Sequence, residues 1–373
     1  MTTDVAGEPI VPDYNGANVR GIIPALLGPS GWRGGVPSWM PALVADAEAV
    51  VLLVLDGLGW DQMQERRHLL PTLCAMEGGP IHTVAPTTTA TALTSISTGL
   101  TPAEHGIVGY RMVIGGDVVN ILRWSVGDQQ VRRSHPPSDV QPYAPFLGHT
   151  VPVVTVAELQ SSAFSEAHLR GSITAGWRAA SSIAVEARAQ IEAGERFVYC
   201  YYGGIDKIAH ERGFGAYYDA ELRASDALVA TIIDTLPEGT ALVITADHGQ
   251  VHVGDRIIKP SAELLANVHL QSGEGRFRWL HTVKGTTDSV VETARAEVGD
   301  VAWVMTREQT LDEGWFGPGM PPAVRSRLGD VALVAREPVS FYEAADSGPF
   351  ELVCRHGSLT SAEVLVPILA VGI

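Results

Sequence analysis

The 373-residue sequence predicts an α/β fold, a mostly parallel central sheet flanked by helices and carrying a small inserted α+β cap. Three observations predict it. Runs of strand length, AVVLLVLDG from Ala49, FVYCYYGGID from Phe197 and TALVITADHG from Thr240, are apolar without polar alternation, the pattern of strands buried on both faces. Between them, 179–193 and 217–235 place apolar residues at helical spacing, and strands alternating with helices imply parallel pairing. Finally, acidic residues stand where the apolar runs stop, at the strand ends where ligands of such sheets bind.

Taken in order, residues 1–47 are rich in Gly and Pro and predict an extended arm lying on the core. GPSGWRGG (28–35) looks faintly like a phosphate loop, but it lacks the Gly-Lys-Ser/Thr ending and follows no apolar strand. After the first run ends at Asp56, residues 81–84 form a short strand pattern leading to Pro86. Then come Thr87, Thr88 and Thr89, and a helix-forming stretch, 90–98, closed by Gly99. Free N–H groups and the helix dipole would welcome an anion at that entrance; a Thr-rich helix cap explains the same residues. Beyond the third run the texture changes. GRFRWLHTV (275–283), VAWVMT and DVALVA resemble strands and TDSVVETARAEVG a helix, so 252–348 reads as an inserted cap, since a loop this long without structure is improbable. VLVPILAVG (364–372) supplies the last strand. The expected division is therefore an arm at 1–47, a core at 48–251 and 349–373, and a cap at 252–348.

The excess of 42 acidic over 26 basic residues, a net −16, argues against nucleic acid as a partner. No run approaches the roughly 18 apolar residues of a membrane span, and the polar start lacks a basic region followed by an apolar stretch, so a cytoplasmic protein with no membrane partner is expected. Cys74, Cys200 and Cys354 are far apart and predict free thiols. Oligomeric state is left open.

The chemistry lies in four short pieces. Asp56 ends VLDG, Asp206 and His210 share one face of a helical turn in DKIAH, Asp247 and His248 close TADHG, and His356 stands in RHG. Each alone is weak. Together, with the Thr cluster between the first and second, they supply mixed carboxylate and imidazole ligation of the kind zinc accepts, and manganese or iron would fit the same donors.

The motifs VLDG, PTTTATALTSISTGL, EHGI, DKIAH, ADHG and RHG, spread over 51–373, resemble the alkaline phosphatase superfamily and, within it, the type I phosphodiesterase/nucleotide pyrophosphatase family. The resemblance implies two divalent metal ions, zinc by family expectation. Asp56, Thr89, Asp247 and His248 would surround one, while Asp206, His210 and His356 would hold the other. Thr89 is the implied nucleophile because the superfamily's nucleophile stands ten residues before the glycine closing its helix, here Gly99; Thr88 is the alternative. His105 matches a turn that is commonly structural. The chain departs from the family at Ala92, where an Asn amide ordinarily donates to a phosphoryl oxygen. Arg111, Arg123 and Lys207 are nearby cations that could replace it.

The implied activity is hydrolysis of phosphodiester or pyrophosphate bonds in a small-molecule phosphate ester, for instance a nucleotide, through a phosphothreonine-type intermediate. Two divalent ions against three carboxylates and one alkoxide leave no net charge, which suits a diester monoanion. Phosphomonoester or phosphonate hydrolysis on the same scaffold, and a metal-binding protein without catalysis, remain alternatives. GEGRFRWLH (273–281) and EGWFG (313–317) offer Arg and aromatic side chains either to a nucleobase or to the cap's own core.

Overall fold

β1 (Ala49–Leu55) is buried along its whole length, which is why its sequence shows no polar alternation. The computed structural model describes residues 7–346 and 352–373; the first six residues of the expected arm, the expected end of the cap at 347–348 and the resumption of the core at 349–351 lie outside the described residues. β2 (Glu77–His82) is followed by α1 (Thr89–Thr98), then β3 (Pro152–Val156), β4 (Ile173–Trp177) and α2 (Ser182–Glu192). β5 (Phe197–Tyr202), α3 (Gly204–Arg212), α4 (Ala216–Thr235) and β6 (Thr240–Thr245) complete the main body's middle section.

β1 pairs in parallel with β5 on one side and β6 on the other. β3 pairs in parallel with β5 and β4. The last strand, Leu365–Gly372, runs antiparallel to β6, and β2 runs antiparallel to it in turn. The sheet is thus mostly parallel with one reversed strand, as the apolar runs and intervening helices imply. Val54 lies level with both Tyr201 and Thr245, so Asp56 and Asp247 emerge side by side at one sheet edge, with α3 starting just beyond β5.

The arm differs from expectation. Within it Val19–Gly21 and Ile22–Leu27 are short helices, started by the Asn18 side chain accepting from Arg20 N–H, with Ile22, Ile23 and Leu26 buried. Pro24 fits because it stands in the first turn, where an amide hydrogen would find no helical partner. Tyr14 accepts from Ala85 N–H and donates to Trp315 carbonyl oxygen, tying this segment to both the core and the region beyond it.

β7 (Val268–Glu274), β8 (Phe277–Thr282), α5 (Thr287–Val298), β9 (Ala302–Thr306) and β10 (Val331–Ala335) form a second, antiparallel sheet, in the order β7-β8-β10-β9, with its own helix; the reversed strand of the main sheet is β11 (Leu365–Gly372). One side of the second sheet packs on α5 through Leu280, Leu333, Val290 and Ala294. On the other, Phe277, Trp279, Trp315 and Phe316 are at most 2% exposed and continue the main hydrophobic core. The aromatic residues of 273–281 and 313–317 are therefore core and unavailable to stack on a base. Arg276, fully buried, forms a two-pronged ion pair with Glu363 at 2.8 Å for each contact, fastening the β7–β8 turn to the segment before β11.

Among the described residues no helix is long and apolar enough to cross a membrane. Cys74, Cys200 and Cys354 are free thiols.

Candidate metal and active site

The chain turns sharply after Asp56 because Gly57 takes φ +76°, and a Cβ there would stand 2.9 Å from Asp206 Cα. That close approach brings two distant motifs together. Gly57 N–H donates to Asp247 Oδ1 at 3.0 Å, and Asp206 N–H donates to the Asp56 carbonyl at 3.1 Å. In α3 the four-residue spacing places Asp206 Oδ1 3.2 Å from His210 Nε2. His356 Nε2 lies 3.2 Å from His210 Nε2 and 3.9 Å from Asp206 Oδ1.

Each of the three histidines is oriented through its other nitrogen. Nδ1 faces the carbonyl of Cys354 at 2.6 Å in His210, of Thr87 at 2.7 Å in His356 and of Gly249 at 3.0 Å in His248. A carbonyl only accepts, so Nδ1 carries a proton and Nε2 is the nitrogen turned towards the site. Carbonyl-oriented imidazoles of this kind are how metal-ligating histidines are held.

Around His248 Nε2 stand Thr89 Oγ1 at 3.1 Å, Asp247 Oδ2 at 3.3 Å and Asp56 Oδ1 at 3.6 Å. Both carboxylate oxygens are buried without a hydrogen-bond donor. Burial first, and the neighbouring carboxylates next, push the Asp56 carboxyl well above its usual range; burial likewise raises Asp247. Burial lowers His356 and keeps it neutral, while Asp206 is held low by His210 against the opposing effect of its own burial. Crowded carboxylates, each with one donorless oxygen, and converging nitrogens are what a bound cation would relieve. Two groups of donor atoms fit one: Asp206, His210 and His356, and Asp56, Asp206 and His248.

The three threonines part company. Thr87 Oγ1 donates to the Ser358 carbonyl and accepts from Gly357 N–H. Thr88 is the N-cap residue of α1, and its hydroxyl meets Glu274. Thr89, the first residue of the helix, turns its hydroxyl into the site. α1 ends at Gly99 in the left-handed conformation, φ +74°.

All seven residues that the resemblance implies stand around this one site, although Asp206 approaches both groups. His105 lies elsewhere, fully buried between Ser95 Oγ at 2.8 Å and Ile107 N–H, as a structural residue would. Arg111 is engaged by Glu343 and Asp346, and Arg123 and Lys207 are exposed, so none of the three joins the cluster. Sequence reasoning missed Tyr201, which donates to Asp56 Oδ2, and Gln250, which donates to Asp206 Oδ1 at 2.8 Å. Gln250 follows TADHG directly and was within reach of that motif. Tyr201 stands in an apolar strand, where nothing distinguishes it from core.

A family profile described as type I phosphodiesterase / nucleotide pyrophosphatase matches residues 50–359. Among solved structures, the inactive variant of murine ectonucleotide pyrophosphatase/phosphodiesterase 5 in complex with AMP is similar, with a TM-score of 0.65, 14% identity, and coverage of 86% of this chain and 87% of that one. So is phosphonoacetate hydrolase from Sinorhizobium meliloti 1021 in complex with phosphonoformate, with a TM-score of 0.64, 16% identity, and coverage of 87% and 90%. No curated protein matches the sequence. The structural likenesses extend over most of both chains.

Proposed function

The chain belongs to the type I phosphodiesterase / nucleotide pyrophosphatase family, and on that premise we propose that it hydrolyses phosphodiester or pyrophosphate bonds with Thr89 as nucleophile. The observation that carries this reading is the approach of the Thr89 hydroxyl to His248 Nε2 beside two carboxylates, each with one buried oxygen that has no donor. Asp56, Thr89, Asp247 and His248 would hold one divalent ion and Asp206, His210 and His356 another, zinc being the expected metal, and the pair would lower the pKa of a bound hydroxyl and offset charge on the phosphoryl oxygens.

Thr89 Oγ1, once deprotonated, attacks phosphorus; the bond to the opposite oxygen breaks in line, leaving a phosphothreonine-type ester that water then cleaves. The start of α1 supports that attack. The first helical bond is from Ala92 N–H to the Thr88 carbonyl, so the N–H groups of Thr89, Ala90 and Thr91 precede it and can face a phosphoryl oxygen. With Ala92 in the place of an amide side chain, these backbone donors take over its duty. Histidines tethered through Nδ1 keep Nε2 aimed inward.

Zinc-loaded protein turning over bis-p-nitrophenyl phosphate faster than p-nitrophenyl phosphate supports the diesterase reading. The opposite order favours the monoesterase alternative, which Ala92 keeps in view. Bound metal without turnover of either ester would leave a non-catalytic metal-binding protein.

A further inference from the structure

A cavity of about 230 Å³ opens beside Thr89 and Tyr201. Its walls are Leu93, one turn along α1 from Thr89, together with Leu122, Leu159, Phe164 and Leu169. Among the described residues no Lys, Arg, Asp or Glu lines it. The volume exceeds the roughly 150 Å³ of an apolar cavity that admits benzene, so a substituted ring or a short alkyl chain fits.

Several polar groups on its wall are already engaged. Ser162 donates to Ser165 Oγ and accepts from Ser165 N–H, Ser165 donates to the Leu159 carbonyl, and Tyr201 donates to Asp56. His168 Nδ1 faces the Phe164 carbonyl at 2.7 Å, and its ring stacks on Phe164 at 4.1 Å between centroids. Burial lowers His168 to about 4, so this wall is uncharged. Beyond these, the Tyr199 hydroxyl is buried without a partner, and the Thr155 hydroxyl and His168 Nε2 also belong to lining residues. A nucleoside would need partners for its base edge and ribose hydroxyls, and an extra phosphate or carboxylate would need a cation. Among the described residues the wall supplies no cation, and beyond Tyr199, Thr155 and His168 it is apolar or already engaged.

Position decides which substituent enters. The cavity adjoins Thr89, while none of Asp206, His210 and His356 lines it. In-line displacement sends the leaving group away from the nucleophile, so the cavity lies on the side of the group that stays on phosphorus.

We propose that this cavity holds an uncharged aryl or short alkyl group retained on phosphorus, and that the preferred substrates are aryl or alkyl phosphonate or phosphate esters rather than nucleotides. The assignment rests on the proposed hydrolase reading. It is tested with three esters sharing one leaving group, the p-nitrophenyl esters of phenylphosphonate, methylphosphonate and thymidine 5′-monophosphate, on the zinc-loaded full chain. The phenyl ester should exceed both others at least tenfold in kcat/KM, and Leu159→Arg, at a rim position 48% exposed, should cut the phenyl-to-methyl ratio at least fivefold. A thymidine ester turned over as well as the phenyl ester, or a phenyl ester no better than the methyl, overturns the proposal. Calorimetric binding of phenylphosphonate and methylphosphonate separates the two readings. Should no ester turn over while phenylphosphonate still binds at least tenfold more tightly, the hydrolase reading falls and the cavity assignment stands; equal affinities overturn the assignment whether or not any ester is cleaved.

Discussion

The Thr89 hydroxyl lies 3.1 Å from Nε2 of His248, across a separation of 159 residues. Its two threonine neighbours face elsewhere, Thr87 to Gly357 and Ser358 and Thr88 to Glu274. Thr89→Ala should therefore lower kcat for diester hydrolysis by at least about 10³-fold, the scale at which removing a nucleophile acts. Thr88→Ala should stay within about tenfold of the parent, since the Thr88 hydroxyl makes no helix-cap hydrogen bond and meets Glu274 instead of the site. Steady-state kinetics of the two variants checks this, and the reverse order would move the nucleophile to Thr88.

Metal removal should change stability with a defined sign. In the metal-free protein the raised carboxyls of Asp56 and Asp247 favour folding while protonated, an advantage fully present below the ordinary carboxylate range and lost as pH rises through their elevated values. Metal binding needs the deprotonated form, so its contribution grows in the same direction. Thermal melts with zinc or with a chelator should differ more at about pH 8 than at about pH 5, with about 2.7 kcal/mol gained at a hundredfold excess of metal over Kd. A gap that shrinks as pH rises would count against these carboxylates as ligands.

Glu274, at the end of β7, makes a separate pH prediction. Burial pushes its carboxyl up to about 8 from an ordinary 4.5, and Oε1 has no donor. Because the folded value is the higher one, its contribution is complete below about 4.5 and is lost as pH rises through about 8. Glu274→Gln should flatten the fall in stability between about pH 6 and 9, measured by urea unfolding across that range. A variant whose pH profile parallels the parent's would refute it.

How much of this was legible depends on how each feature is encoded. β1, β5, β6 and β11 announced themselves because burial on both faces demands uninterrupted apolar residues. β4 did not: Ile173–Trp177 is a partly exposed strand at the sheet's margin, and its sequence carries no such run. The small sheet opened by Arg111–Ile114 and Asp117–Asn120 was missed as well, its strands being too short to show a period. In the arm, Gly and Pro suggested extension, but the Asn18 cap and the apolar IIPALL segment form a buried helix. Asp and His at strand ends could be found because ligand chemistry fixes side-chain identity. The carbonyls of Thr87, Gly249 and Cys354 that orient the histidines could not, since a carbonyl has no sequence signature. The cavity wall, drawn from Leu93, Leu122, 155–169 and 199–201, is assembled only by the fold.

The Arg276–Glu363 pair supplies the fourth prediction. Both side chains are fully buried, and Arg276 also donates to the carbonyls of Glu337 and Val339. Glu363→Ala leaves an unpaired buried guanidinium and should destabilise the protein by about 3–5 kcal/mol. Denaturant unfolding measures this. A loss under about 1 kcal/mol would mean that solvent reaches Arg276 once its partner is gone.

The central claim, that Thr89 carries the phosphoryl group during turnover, is tested most directly by rapid acid quench of zinc-loaded protein mixed with bis-p-nitrophenyl phosphate, followed by mass analysis of the peptide containing Thr87, Thr88 and Thr89. A phosphoryl adduct localised to Thr89, formed as fast as the first p-nitrophenolate is released, is the predicted result; turnover with that peptide unmodified, or an adduct on Thr88, would contradict it.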